Sequence, residues 1–202
     1  MTVTRTLEEA ASEAATCTRC RLSAGRTQVV FGVGDPHADL MFIGEGPGYY
    51  EDKQGEPFVG AAGQLLNRLL AEIGIRRQDV YINNVVMCRP PGNRDPLPDE
   101  IDACRPWLME RVALIDPAVI VTLGRFATGV ILDRPTVSIT KVRGQRFRWE
   151  GRIVIPTFHP AAVLRGGGDA SSQMAAVRQD FQMVQRALAD RPQPTEEQLG
   201  LF

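Results

Sequence analysis

Hydrophobic positions along the chain follow two alternating patterns. Three short apolar runs, at residues 39–44, 80–86 and 118–123, have the length and composition of buried β-strands. Between them apolar residues recur at helical spacing, most clearly from Gly60 to Ile73, and Gly74 predicts the end of that helix. Strands that alternate with helices predict an α/β fold with a parallel sheet and helices on both of its faces.

Weaker patterns predict the remaining elements. Thr6 followed by Glu9 indicates a capped helix over Leu7–Ala15. Other predicted elements are a strand at 28–31, a helix from about 99 to just before 117, a short helix after 124, two strands on either side of 151 and a helix at 173–189. We expect residues 1–189 to form one domain and residues 190–202 to form a flexible tail.

Composition excludes a disordered, fibrous or collagen-like protein. The chain has 202 residues, of which 44% are hydrophobic and 23% charged, as in globular proteins. The net charge of −1 means that DNA binding would require a local basic surface. No apolar run reaches the roughly 18–20 residues of a membrane span. The polar residues 1–15 do not resemble a signal or transit peptide, so a cytoplasmic protein is expected.

The four cysteines are candidate metal ligands. Cys17 and Cys20 form a CxxC pair, whereas fifteen residues separate Cys88 from Cys104. A zinc ribbon prefers two CxxC pairs, and a 4Fe-4S iron–sulfur cluster suits the observed arrangement at least as well. On spacing alone, a zinc site, an iron–sulfur cluster and four unrelated buried thiols all remain open.

Unusual segments stand where a parallel sheet places its ligand sites, at the carboxyl ends of the strands. They are Gly44–Gly48, Asn83–Cys88 and Phe158–Arg165. The glycine-rich turn lacks the spacing of a dinucleotide motif, and no Walker lysine follows it. Nucleotide binding is therefore not expected.

These segments resemble motifs of the family 4 uracil-DNA glycosylases. The resemblance rests on Gly44-Glu-Gly-Pro-Gly48, Gly55-x-Pro-Phe-Val-Gly60, Asn84 and His159-Pro160, and it runs from about Cys17 to Arg165. It implies a three-layer α/β/α sandwich with a central, mostly parallel four-stranded sheet. It also implies hydrolysis of uracil from DNA and a 4Fe-4S cluster held by Cys17, Cys20, Cys88 and Cys104.

The resemblance implies roles for single residues as well. His159 would donate to uracil O2, and Asn84, on a neighbouring strand end, would read O4 and N3–H. Phe58 would stack on the flipped ring, and Gly46 would let the backbone approach the base. Glu45 would order the attacking water or bond the uracil. Without the resemblance, a loop histidine, a turn asparagine and a core phenylalanine are ordinary interpretations.

One branch of the superfamily cross-links to DNA through a histidine at the end of an arginine-rich loop. The equivalent segment, Pro90–Pro98, contains no histidine, and no lysine nucleophile is indicated. We therefore expect a monofunctional enzyme that turns over. There are two rival classes. A non-enzymatic iron–sulfur DNA-binding module would keep the cysteines and the basic face but would not need Asn84 or His159, and a zinc-ribbon adaptor would dock through the tail.

The expected partners are uracil-containing DNA, single or double stranded, and a bacterial sliding clamp. Leu164 would wedge into the base stack, with Arg165 and Arg143 on phosphates, although a solvated basic face is the ordinary alternative. The tail residues Gln198, Leu199, Leu201 and Phe202 resemble a clamp-binding pentapeptide, and a frayed terminus is the alternative. The protein is expected to act as a monomer.

Overall fold

A six-stranded sheet forms the centre of the computed structural model, which describes residues 5–190. Its strands are β1 (Val33–Gly34), β2 (Leu40–Gly44), β3 (Tyr81–Asn84), β4 (Val119–Leu123), β5 (Phe147–Trp149) and β6 (Arg152–Thr157). They lie in the order β1-β3-β2-β4-β6-β5, and the four central strands are parallel. The predicted α/β sandwich is confirmed, with antiparallel β1 and β5 added at the two edges.

Helices cover both faces of this sheet. In residues 5–190 they are α1 (Leu7–Ala15), α2 (Tyr49–Gln54), α3 (Ala61–Glu72), α4 (Pro98–Ile115), α5 (Arg125–Ile131), α6 (Ile139–Val142), α7 (Pro160–Arg165) and α8 (Ser172–Ala189). None of these helices combines the length and the apolar character that crossing a membrane requires.

Two hydrophobic clusters, one on each face, bind the layers together. On one face, Met41 and Tyr81 of the sheet pack with Trp107 of α4. On the other face, Phe42 stacks on Phe181 of α8, with ring centres 5.8 Å apart. Successive strand residues point to opposite faces, and the continuous apolar runs of β2 and β4 supply both clusters.

Local sequence signals account for several boundaries. The Thr6 hydroxyl accepts from the Glu9 amide at 3.2 Å, and the Glu9 carboxylate accepts from the Thr6 amide at 2.7 Å. This capping box satisfies two amides that an open helix end leaves unpaired. Gly74, with φ of 74°, follows the end of α3 as predicted.

The strand predicted at residues 28–31 is wrong. The segment is an irregular loop in which the Val30 amide donates to the Met87 carbonyl at 2.8 Å. Val30 and Phe31 are nevertheless buried, with 1% and 8% of their surface exposed. Their hydrophobicity therefore reflects packing of a loop against the core, and sheet pairing begins only at Val33.

Register brings the chemically important residues to one edge of the sheet. Gly44 at the end of β2 lies opposite Asn84 at the end of β3. Leu123 at the end of β4 lies opposite Thr157 at the end of β6, two residues before His159. The segments that follow these strands therefore meet at the carboxyl edge.

Candidate active site

An open cleft of about 310 Å³ lies at the carboxyl edge of the sheet. The structure brings into it all five residues that the motifs assign to uracil: Glu45, Gly46, Phe58, Asn84 and His159. The segments after β2 and β6, the end of β3 and the loop at residues 90–95 that follows β3 all contribute to its lining. The cleft is therefore assembled from parts of the chain that are distant in sequence.

Asn84 and His159 do not come from neighbouring strands, contrary to expectation. Asn84 ends β3 and His159 follows β6, and β2 and β4 lie between them. Phe58 spans the gap, because its ring lies 5.6 Å from the His159 ring at an interplanar angle of 29°. The amide and the imidazole consequently line one cleft, and the Phe58 ring lies near both.

Asn84 presents a buried acceptor that has no partner within residues 5–190. Its side chain is 1% exposed, and its Oδ1 atom accepts no hydrogen bond from the described chain. Its backbone carbonyl, in contrast, accepts from Arg111 Nη2 at 3.1 Å, which holds the strand end in place. Because an unpaired buried acceptor is costly, the amide oxygen is suited to a donor on a ligand.

Gly44 allows Asn84 and Phe58 to approach each other. A Cβ at Gly44 would overlap Asn84 Oδ1 and would lie 2.6 Å from Phe58 Cζ. Phe58 is 6% exposed and belongs to the hydrophobic cluster that includes Phe42. The core interpretation of Phe58 and its place in the cleft therefore both hold.

Phe58 has a backbone conformation that phenylalanine rarely adopts, with φ of 54°. Two neighbours hold it there. Glu51 Oε1 accepts from the amides of Val59 and Gly60 at 3.0 and 2.9 Å, and a Cβ at Gly63 would overlap the Phe58 carbonyl. The turn is thus fixed from both sides, a constraint the motif did not reveal.

Gly46 and Gly48 are close to side chains. A Cβ at Gly46 would lie 2.8 Å from Val86 Cγ2, and one at Gly48 would lie 2.7 Å from Glu51 Oε2. A side chain at either glycine of this turn would therefore crowd Val86 or Glu51. The predicted approach of Gly46 to a base stays a prediction.

The geometry of His159 defines its neutral tautomer. Its Nδ1 accepts from the Ala161 amide at 3.2 Å, so the single proton of a neutral ring lies on Nε2. Burial, together with the positive charge of Arg165, lowers the pKa of His159 to about 4. At neutral pH the ring is an uncharged Nε2–H donor.

Glu45 has an unusual carboxyl group for a cleft residue. Burial, together with the negative charge of Asp95, raises the pKa of this carboxyl to about 7. Arg125 and Arg165 oppose the increase. Near neutral pH the group is therefore able both to give and to take a proton.

The residues expected to contact DNA differ in their surroundings. Arg165 lines the cleft, and the adjacent Leu164 is 37% exposed. Arg143 instead pairs with the buried Asp180 of α8, donating from Nε at 3.0 Å and from Nη2 at 2.5 Å, and Nη2 also donates to the Ala176 carbonyl. This pairing favours a structural role for Arg143 over the predicted phosphate contact.

All four cysteines line one cavity between the N-terminal segment, the end of the β3 loop and α4. Arg26 joins its two sides, since Nη1 donates to the Cys17 carbonyl at 2.5 Å and lies 3.4 Å from Cys88 Sγ. In the described part of the chain, no three His, Cys, Asp or Glu residues form a group that could hold a metal ion. Four thiols around a cavity fit a polynuclear cluster, which binds each thiolate on a different iron.

The loop at 90–95 contributes lining residues that were not predicted. Asn93, Arg94 and Asp95 all face the cleft, and Arg94 is fixed by Glu100 through bonds of 2.8 and 2.6 Å. The position of this loop after β3, at the carboxyl edge of the sheet, is the sequence feature that could have indicated its part in the cleft. The tail residues Gln198, Leu199, Leu201 and Phe202 lie outside the described residues.

With this geometry, the chain matches the family model of the uracil DNA glycosylase superfamily over residues 31–182. The chain therefore belongs to the uracil-DNA glycosylase superfamily.

Within this superfamily, the chain is most clearly similar to type-4 uracil-DNA glycosylases. The chain is 55% identical to the type-4 uracil-DNA glycosylase of Thermotoga maritima over 150 residues, covering 74% of this chain and 78% of the relative. It is 50% identical to that of Sulfurisphaera tokodaii over 166 residues, 78% and 76% of the two chains. It is 43% identical to that of Saccharolobus solfataricus over 194 residues, which cover 92% of this chain and 88% of the relative. The resemblance to family 4 is confirmed.

Proposed function

We propose that this protein is a monofunctional uracil-DNA glycosylase, which hydrolyses the N-glycosidic bond of uracil in DNA and leaves an abasic site. The observation that carries the proposal is the buried Asn84 Oδ1, which has no partner in residues 5–190 and shares a cleft with the Nε2–H donor of His159. An acceptor and a donor that line one cleft with an aromatic ring match the polar edge and the flat face of uracil.

Recognition requires the nucleotide to leave the base stack and enter the cleft. There Phe58 stacks on the ring, Asn84 Oδ1 accepts from N3–H, and the Asn84 amide group donates to O4. Cytosine has no hydrogen on N3 and carries an amino donor in place of O4. Binding it would leave buried polar groups unpaired, so Asn84 rejects it.

Bond cleavage places negative charge on the departing uracil. The electron pair of the C1′–N1 bond moves to the base, and His159 stabilises it by donating from Nε2 to O2. A water molecule attacks C1′, and Glu45 takes its proton. Burial supports both roles, because it keeps His159 uncharged and sets the pKa of Glu45 to about 7.

Excision from an oligonucleotide containing one uracil, followed by alkali, tests this function. We expect the wild-type protein to cleave the strand. Asn84→Ala should lower kcat/KM about 100-fold, the cost of losing a few kcal/mol of pairing in a buried site.

Asn83→Ala is the matched control for this experiment. It removes the adjacent amide, which is 0% exposed and donates to Met41 Sδ at 3.6 Å on the opposite face. Its activity should stay within about threefold of wild type below its melting temperature. Equal cleavage by wild type and Asn84→Ala would contradict the assignment, and a wild type that binds DNA without cleaving it would favour the binding-module alternative.

We propose further that Cys17, Cys20, Cys88 and Cys104 hold a 4Fe-4S cluster. Their convergence on one cavity supports this assignment. Glycosidic hydrolysis transfers no electron, so the cluster would have a structural role. It would join the segment after α1 to α4 and to the loop that follows β3.

DNA contacts at the rim of the cleft complete the proposal. Leu164, which is 37% exposed, enters the base stack, and Arg165 contacts a phosphate. The protein acts as a cytoplasmic monomer in which residues 1–189 form the glycosylase domain.

The tail at 190–202 recruits the enzyme to the sliding clamp through Gln198, Leu199, Leu201 and Phe202. A pull-down with immobilised clamp tests this part. The full chain should be retained, and a chain lacking residues 198–202 should pass through. Equal retention of the two chains would overturn it, and uracil excision by the shortened chain should be unchanged.

A further inference from the structure

Two adjacent tyrosines are exposed where α2 begins. Tyr49 is 49% exposed and Tyr50 is 62% exposed, and in residues 5–190 they are the most exposed large hydrophobic side chains. Nothing in the proposed reaction uses them. Large aromatic rings that face water cost solubility, so a pair of them indicates a binding surface.

Tyr49 is held in place by cations. The Arg89 guanidinium carbon lies 5.1 Å from its ring centre, and Lys53 Nζ lies 5.9 Å from it. Arg89 is itself fixed, because its Nε donates to Asn93 Oδ1 at 2.7 Å. The surface therefore combines aromatic rings with two positive charges.

Tyr50 is braced by Tyr49 and remains accessible. The two rings meet edge to face, 5.4 Å apart at 84°. A Cβ at Gly60 would lie 3.8 Å from Tyr50 Cδ2, so the ring stands close to the turn that carries Phe58. A side chain supported in this way can offer a flat face to a ligand with little loss of conformational entropy.

This surface adjoins the cleft. Gly48, which precedes Tyr49, and Asn93, which anchors Arg89, both line the cleft. A strand whose uracil lies in the cleft would therefore pass beside the tyrosines. Aromatic rings flanked by cations are the combination that binds unpaired nucleic acid, since bases stack on the rings and phosphates contact the charges.

We propose that Tyr50 is a stacking platform for an unpaired base next to the flipped uracil, with Tyr49 as its brace and Lys53 and Arg89 as phosphate contacts. The inference rests on the proposed uracil-DNA glycosylase function. It gives the enzyme a preference for single-stranded over double-stranded substrate. In a duplex the neighbouring bases are paired and stacked within the helix, and they do not reach the ring.

Binding of a labelled oligodeoxythymidylate of about 20 nucleotides tests the platform without any cleavage, because the probe has no uracil. Tyr50→Ala should weaken binding about 5- to 100-fold, the effect of losing one stacked base, whereas Tyr50→Phe should bind within about twofold of wild type. On single-stranded uracil substrate, Tyr50→Ala should raise KM by a similar factor and leave kcat unchanged. On duplex substrate its KM should change less than about twofold.

Several outcomes would contradict the proposed role of Tyr50. They are wild-type affinity in Tyr50→Ala, an equal loss on single-stranded and duplex substrate, or a dimer in solution that dissociates on Tyr50→Ala. The melting temperature should not change, because the ring is 62% exposed. A wild-type protein that binds thymidylate but does not excise uracil would refute the glycosylase function and leave the platform standing.

Discussion

At the scale of single residues, burial drives two titratable groups of the cleft, Glu45 and His159, toward their uncharged forms. It lowers the pKa of His159 to about 4 and raises the pKa of Glu45 to about 7. The imidazole therefore keeps one N–H donor across the physiological range. The carboxyl group changes its protonation state within that range.

The pH dependence of the rate should follow Glu45. A general base must be ionised, so kcat/KM should increase with pH up to about 7 and then level off. Glu45→Gln should lower kcat/KM by about 100-fold or more and remove the increase. Steady-state rates between pH 5 and 9, measured on the single-uracil oligonucleotide, check this. An ascending limb that survives in Glu45→Gln would assign the titration to another group.

Protonation of His159 should affect the free energy of unfolding, and it should do so in a lower pH range than the one in which Glu45 controls the rate. Its folded pKa of about 4 lies below its ordinary value of 6.5, so the unfolded chain binds the proton first as the pH falls. This contribution to stability is fully present above about pH 6.5 and is lost as the pH falls through 4. Acid therefore destabilises the protein before it alters the neutral donor in the cleft.

The residues of the cleft were predicted from motifs, but the groups that hold them were not. Arg111 is fully buried and donates to the carbonyls of Trp107, Phe31 and Asn84. An arginine in an amphipathic helix is ordinarily a surface residue. Its burial depends on contacts between residues 80 and 27 positions apart, which no local pattern encodes.

At the scale of elements, α3 shapes the cleft through a glycine. Gly63 faces the Phe58 backbone so closely that a Cβ there would overlap the Phe58 carbonyl. The helix can thus press directly on the turn that has φ of 54°. Here packing overrides helix propensity, which would prefer alanine by about 1 kcal/mol.

Gly63→Ala tests this arrangement because two effects of opposite sign compete. Propensity alone would stabilise the protein by about 1 kcal/mol, whereas the overlap costs about 1–3 kcal/mol and displaces Phe58. We expect lower stability and a kcat/KM reduced about 10- to 100-fold. Thermal unfolding and excision rates check both, with the exposed neighbour changed in Gln64→Ala as the control. An increase in stability would show that the helix can shift away.

Elements were predictable wherever their causes are local. The apolar runs of β2, β3 and β4, the capping box of α1 and the glycine after α3 all lie in short stretches of sequence. The loop at 28–31 misled the prediction because burial and strand pairing produce the same apolar run. The pairing of Arg143 with Asp180 was missed because the two residues are 37 positions apart.

At the scale of the whole molecule, the cavity lined by cysteines connects the N-terminal segment to the core. Cys17 and Cys20 follow α1, Cys88 follows β3, and Cys104 lies in α4. Arg26 reinforces the connection, because it donates to the carbonyls of Cys17 and Ala15 and its Nη1 also lies 3.4 Å from Cys88 Sγ. Loss of the proposed cluster should therefore loosen residues 16–27 before it affects the sheet.

Cys17→Ser tests the cluster and this mechanical role together. Wild type should be brown and contain about four irons, and the variant should be colourless, fold in lower yield and melt about 5–10 °C lower. Trypsin should cut the variant at Arg19, Arg21 or Arg26 and spare the sheet. Thr18→Ser, which keeps all four thiols, is the control. A colourless wild type with full stability, or one zinc per chain, would exclude the cluster.

The turn between β5 and β6 offers a practical use. Glu150 and Gly151 form it with φ of 47° and 82°, and a Cβ at Gly151 would meet no atom of residues 5–190 within 4 Å. Since β6 runs from this turn toward His159, the turn lies at the far end of the sheet from the cleft. A fluorophore or affinity tag inserted there would report on the enzyme while it works, without obstructing the DNA that enters on the other side.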